Sequence, residues 1–66
     1  MSPAMYHALM NEAEVLAGDM AQVAYDTNDP NEQRAFWVSL LAGSWFTDEQ
    51  LYFLRDEVRK RIPITF

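Results

Sequence analysis

The sequence predicts an all-α fold, a small three-helix domain with a long amphipathic first helix. Two observations predict it: apolar residues recur at helical spacing, and helix start and stop signals occur three times along the 66 residues. A chain of this length forms one domain, residues 1–66, and buries only about 60% of the surface that it exposes when unfolded. Because there is no cysteine, neither a disulfide nor a thiolate metal site can add stability.

The first helix is predicted over residues 3–25. Ser2 offers an N-cap hydroxyl, and Pro3 occupies the first helical position, where its missing N–H costs nothing. An apolar stripe recurs at about 100° per residue. Its members are Met5, Leu9, Ala13, Leu16, Met20 and Val23. The helix would be about 34 Å long and the other two about 21 Å each, so we expect homodimerisation to cover the part of the stripe that outruns them.

The second helix is predicted over residues 30–42. Asp29 supplies its N-cap and Pro30 its first residue, while the Glu32 carboxylate is expected to accept a hydrogen bond from the Asp29 N–H. Gly43 ends the helix as a left-handed residue. The apolar side is expected to carry Phe36, Trp37, Leu40 and Leu41.

The third helix is predicted over residues 48–62. Thr47 and Gln50 have the spacing of a capping box, and Pro63 ends the helix. The inward side is expected to consist of Leu51, Leu54, Val58 and Ile62. Three bases in the last turn favour the helix dipole. The apolar tail, residues 63–66, is expected either to dock on the helices or to fray.

Charge divides the chain into an acidic half and a nearly balanced half. Residues 1–33 hold six acids and no base, whereas residues 34–66 hold four acids and five bases, so −6 and +1 give the net charge of −5. The acids of the first helix either form a solvated face or dock on a larger protein with a basic surface, as mimics of DNA do. The predicted partner-binding acids are Glu12, Glu14, Asp19 and Asp26.

The nine aromatic residues exceed what one small core can hold, and surplus aromatic surface is typical of protein interfaces. Tyr52 and Phe53 are expected to point away from the inward side of the third helix. Trp45 is expected either to fill the core with Trp37 and Phe46 or to lie on the surface. The predicted partner-binding or dimer residues are Trp45, Tyr52 and Phe53.

No group of residues favours catalysis. His7, Asn11 and Glu14 would share a helix face, but asparagine is a weak ligand and only one carboxylate joins them, so neither a metal site nor a cofactor is expected. Two glycines cannot build a phosphate-binding loop. The sequence therefore favours a non-enzymatic regulator or inhibitor that binds another protein.

Two alternatives stay open beside that interpretation. The basic end of the third helix could serve a small nucleic-acid-associated subunit, although the overall acidity disfavours direct nucleic-acid binding. Its residues are Arg55, Arg59, Lys60 and Arg61. The other alternative is a purely structural oligomerisation module.

In size, acidity and lack of cysteine, the chain resembles the small inhibitors and regulators that bacteriophages and mobile elements encode. The resemblance is one of composition, and no motif carries it. No apolar run approaches the ~18 residues of a membrane span, and the N-terminus has neither a basic region nor a continuous apolar one. We therefore expect a cytoplasmic protein with no membrane association.

Overall fold

The computed structural model describes all 66 residues as three helices joined by two short loops, with no strand. Helix α1 spans Pro3–Asp26, α2 spans Pro30–Leu41 and α3 spans Asp48–Arg61. The predicted all-α three-helix fold is confirmed. Every helix begins where it was predicted to begin, and each ends within one residue of its predicted end.

Side-chain caps start α1 and α3 as the sequence predicts. Ser2 Oγ accepts the Met5 N–H at 3.1 Å. In the capping box of α3, Thr47 Oγ1 accepts the Gln50 N–H at 3.2 Å, and Gln50 Oε1 accepts the Thr47 N–H at 3.0 Å. These caps satisfy backbone N–H groups that have no helical carbonyl to donate to.

At the start of α2, the predicted hydrogen bond from the Asp29 N–H to the Glu32 carboxylate is wrong. Asp29 does act as the N-cap, because its Oδ1 accepts the Asn31 N–H at 2.9 Å. Its own N–H, however, donates to Thr27 Oγ1 at 3.1 Å. The threonine hydroxyl reaches this N–H from two residues earlier, so the loop itself satisfies the group and Glu32 stays exposed.

Backbone chemistry explains where α2 and α3 end. After α2 the chain turns at Gly43, whose φ of 77° lies in the left-handed region that glycine adopts without steric cost. Helix α3 ends one residue earlier than predicted, and Ile62 is extended with ψ of 154°. The ring of Pro63 disfavours helical backbone at the residue before it, which excludes Ile62 from the helix.

The core lies along α1, which packs against both other helices, while α2 and α3 do not pack directly on each other. From α3 the core takes Leu54 and Val58, and from α2 it takes Trp37. The buried residues of α1 are Leu9, Ala13, Leu16, Ala17 and Met20, and all of these except Ala17 belong to the predicted stripe. The predicted stripe is therefore confirmed over its middle, and its N-terminal member Met5 remains exposed.

Helix α2 buries a narrower side than predicted. Gln33 and Trp37 are buried and Leu41 is half-buried, whereas Phe36 is 53% exposed and Leu40 is exposed as well. The predicted inward orientation of Phe36 and Leu40 is wrong. Because α2 has only one helical neighbour, a single line of residues four apart is enough to cover its contact.

The C-terminal tail docks instead of fraying. Phe66 is buried, and its ring centroid lies 5.9 Å from that of Trp37 on α2. The Arg59 guanidinium of α3 donates a hydrogen bond to the Phe66 carbonyl. The tail thus contacts both α2 and α3 and supplies packing that the two helices do not give each other.

Gln33 joins this tail to the loop before α2. Its Nε2 donates to the Thr27 carbonyl at 2.8 Å. Its Oε1 accepts from the Thr65 N–H at 2.8 Å and from the Thr65 hydroxyl at 2.9 Å. The residue is only 1% exposed, so these bonds replace the water that its amide loses on burial.

Candidate functional site

Three acids of α1 lie along one side of the helix. Glu12, Asp19 and Asp26 are seven residues apart, which turns each by only about 20° from the last and separates them by about 10.5 Å along the axis. Asp19 and Asp26 are exposed and Glu12 is half-buried. Val15 lies on the same side between Glu12 and Asp19 and is exposed. We name these four residues the acidic face.

Glu14, the fourth acid predicted for this surface, lies elsewhere on α1. At 100° per residue it stands roughly 120–160° around the helix from the other three acids. It is exposed. The four predicted residues therefore do not form one surface. Helical spacing in the sequence is enough to place Glu14 on a different side of α1 from the other three acids.

No base of the chain pairs with the acidic face. The protein has two ion pairs, and both lie within α3. The carboxylates of α1 are thus left without an intramolecular counter-ion. Their field extends into solvent, where it can attract a basic surface.

Glu57 is the acid that the bases of α3 do neutralise. It is buried, and its carboxylate accepts from Lys60 Nζ at 2.7 Å and from Arg61 Nη1 at 3.2 Å. The Lys60 hydrogen bond is the main reason that the pKa of Glu57 is lowered, with Arg61 assisting and burial opposing. The same bond raises the pKa of Lys60. Sequence reasoning missed this cluster, although its i+3 and i+4 spacing was the available signal.

The other two bases of α3 are also engaged within the protein. Arg59 donates to the Phe66 carbonyl. The Arg55 guanidinium carbon lies 5.3 Å from the centroid of the Tyr52 ring, a cation–π arrangement, and its Nε is buried without a hydrogen-bond acceptor. Of the five bases, only Arg34 on α2 has no such contact.

The aromatic residues predicted for an interface divide into exposed and packed ones. Trp45 in the α2–α3 loop is 96% exposed, and Tyr52 is 60% exposed. Phe53 is half-buried, packs against the core and meets the Tyr6 ring edge-on with centroids 6.0 Å apart. The predicted outward orientation of Phe53 is wrong, because this residue lies one turn before the buried Glu57 on the side of α3 that meets α1.

His7 is not drawn into a polar cluster. Its side chain is exposed, and its ring meets the Tyr6 ring edge-on at a centroid distance of 5.9 Å. No three acidic or histidine side chains in the chain come together in a group that could hold a metal ion. His7, Asn11 and Glu14 are all exposed on α1, and their spacing places them on one side of that helix.

An apolar groove opens between the end of α2 and the start of α3. Its volume is about 200 Å³. The residues that line it are Trp37, Val38, Leu41, Ala42 and Leu51. Because every lining side chain is hydrophobic, the groove fits an apolar group and offers no polar side chain to orient a polar substrate. We name it the α2–α3 groove.

Each of the three helices is too short or too polar to cross a bilayer. Comparison of the chain with protein-family models, curated proteins and solved structures finds no match. The charge, exposure and packing of the surfaces described above are therefore the features from which a function can be inferred.

Proposed function

We propose that the protein is a non-enzymatic regulator or inhibitor that docks its acidic face on a basic surface of a larger protein. The observation that supports this proposal is that most bases of the protein are paired within it, whereas the acids of the acidic face are not. The acidic face has no intramolecular counter-ion, whereas four of the five bases are engaged within α3 and the tail. Uncompensated carboxylates favour a partner that presents cations, and they accelerate its association.

The arrangement of the acidic face supports a partner that handles nucleic acid. Its three carboxylates recur every seven residues along one helix. A groove that binds a nucleic-acid backbone presents cations to regularly spaced anions. Val15 places exposed apolar surface between two of the acids, which resembles an interface with an apolar centre and a polar rim.

Two single charge reversals on α1 test the proposal. Asp19→Lys and Glu14→Lys each change the net charge by the same amount at an exposed position, but only Asp19 belongs to the acidic face. With a partner captured from a lysate of the source cell, Asp19→Lys should weaken binding by roughly tenfold or more, mainly through the association rate. Glu14→Lys should change it by less than about threefold, and the unfolding free energy of both should stay within about 0.5 kcal/mol of the original.

Surface plasmon resonance at two salt concentrations gives the rates and the salt dependence. Binding through the acidic face must weaken as salt rises. Equal losses from both reversals, or an Asp19→Lys protein that binds with unchanged affinity and salt slope, would refute the proposal. A gel shift with duplex DNA tests the nucleic-acid alternative, and direct binding there would favour that alternative over the acidic-face proposal.

A second candidate function, a structural oligomerisation module, is favoured by a different observation. Trp45 is almost fully exposed in the loop that joins the two walls of the α2–α3 groove. This feature does not involve the acidic face, so the two functions can be tested separately.

A further inference from the structure

Trp45 lies in the loop that joins the two walls of the α2–α3 groove, but its side chain is not part of the groove lining. Trp45 is 96% exposed. Two residues that do line the groove, Ala42 and Leu51, lie three residues before it and six residues after it. The loop that joins the two walls of the groove therefore carries a large exposed aromatic side chain.

The size and chemistry of the groove suit one indole ring. An engineered protein cavity of about 150 Å³ is known to bind benzene, and this groove measures about 200 Å³. Its lining is entirely hydrophobic. Because the groove is open, an inserted indole can bury its apolar body and leave its N–H at the mouth, in contact with water.

We propose that Trp45 of one copy inserts into the α2–α3 groove of a second copy while the second copy does the same in return. Each chain carries both the inserting residue and the receiving groove, so two copies related by a twofold axis can make the contact twice. Such an isologous contact closes after two copies and does not propagate into a filament. The inference is independent of the proposed acidic-face function.

The buried area indicates how strong this dimer is. A tryptophan side chain buries at most about 250 Å², so two reciprocal insertions account for roughly 500 Å² in addition to the groove walls. Stable interfaces bury about 1,200–2,000 Å² in total, and smaller ones are weak or transient. The dimer therefore forms at high protein concentration and dissociates on dilution.

Charge gives this dimer a salt dependence opposite to that of the acidic face. Each copy carries a net charge of −5, so a dimer brings −5 and −5 together. Salt screens that repulsion and should strengthen the dimer, whereas it should weaken the attraction between the acidic face and a basic partner. Failure of one proposal is thus distinguishable from failure of the other.

Sedimentation equilibrium of the full chain, from micromolar to millimolar concentration at low and high salt, tests the dimer. Three variants accompany it. Trp45→Ala removes the inserting residue, Val38→Asp places a charge in the receiving groove, and Tyr25→Ala is the matched control because Tyr25 is an aromatic residue that is 88% exposed at the far end of α1. Circular dichroism checks that all three keep the helical content of the original.

We expect the original chain to dimerise and its tryptophan emission to shift to shorter wavelength as concentration rises. Trp45→Ala and Val38→Asp should each weaken dimerisation by roughly tenfold or more, and Tyr25→Ala by less than about threefold. A chain that stays monomeric at millimolar concentration overturns the proposal. So does an equal loss in the control, a Trp45→Ala protein that dimerises normally, or a monomer whose Trp45 is already shielded from acrylamide quenching.

Discussion

At the scale of single residues, the Gln33 amide makes three hydrogen bonds, two of them to a residue 32 positions away. It donates to the Thr27 carbonyl and accepts from the N–H and the hydroxyl of Thr65. Gln33→Leu keeps a similar volume but removes all three bonds. We expect the free energy of unfolding to fall by about 2 kcal/mol. Some of the groups that lose their partner can hydrogen-bond to water instead, whereas the buried ones cannot.

Urea denaturation of Gln33→Leu measures this loss. The matched control is Gln22→Leu, which makes the same replacement at an exposed position of α1. The control should change the unfolding free energy by no more than about 0.5 kcal/mol. Equal effects of the two replacements would mean that the Gln33 bonds contribute nothing to stability.

Glu57 makes the free energy of unfolding depend on pH. Hydrogen bonds from Lys60 and Arg61 lower its pKa in the folded state, so its contribution to stability is complete above the unfolded-state value of about 4.3. That contribution disappears as the pH falls through the lower folded-state pKa. Glu57→Gln should therefore be less stable than the original at neutral pH, and the difference should shrink below about pH 4.3.

Urea denaturation between neutral and strongly acidic pH gives the Glu57→Gln profile. Glu14→Gln is the control because Glu14 has no ion pair and is exposed. Its difference from the original should stay small throughout. A Glu57→Gln difference that is constant across this range would contradict the assigned role of the ion pairs.

At the scale of elements, the tail determines how firmly α2 is held. Helix α2 packs against α1 through one narrow side and does not pack on α3, so Phe66 against Trp37 is its other main apolar contact. Phe66→Ala should cost about 3 kcal/mol, as for a phenylalanine in a core. Amide hydrogen exchange should accelerate more in α2 than in the middle of α1.

Phe36→Ala is the control for the tail. It removes the same side chain from α2 at a position that is 53% exposed, so we expect a cost below about 1 kcal/mol and no selective change of exchange in α2. If Phe66→Ala accelerates exchange equally in all three helices, the tail stabilises the whole domain and not α2 in particular.

At the scale of the whole molecule, the protein has little core for its surface. The Cα envelope measures 35 × 22 × 14 Å, and only 11 of 66 residues are buried. The folded surface is 4524 Å², against about 11,000 Å² for an unfolded chain of this mass. We therefore expect an unfolding free energy of about 3–5 kcal/mol.

Urea denaturation followed by both circular dichroism and tryptophan fluorescence tests this stability. The two transitions should coincide, because a single small core unfolds cooperatively. A free energy above about 8 kcal/mol at dilute concentration would contradict the expectation. With so small a total, Phe66→Ala alone should leave the domain close to its unfolding midpoint at room temperature.

The sequence alone determined the helices of this protein. Caps and breakers act within four residues, so the starts at Pro3, Pro30 and Asp48 could be predicted from neighbouring side chains. The α1 stripe could be predicted as well, since helical periodicity places its members on one side. Of the candidate site, the position of the acids on α1 follows from the same periodicity.

Only the tertiary structure decided which helices meet and what covers each side. The exposure of Trp45, the packing of Phe53 on Tyr6 and the outward position of Phe36 depend on neighbours far away in the chain. The same holds for the Gln33 bonds to the tail, 32 residues away. Helical periodicity predicts which residues share a side of a helix. Whether that side is buried depends also on the surface that packs against it, and the tertiary fold determines that surface.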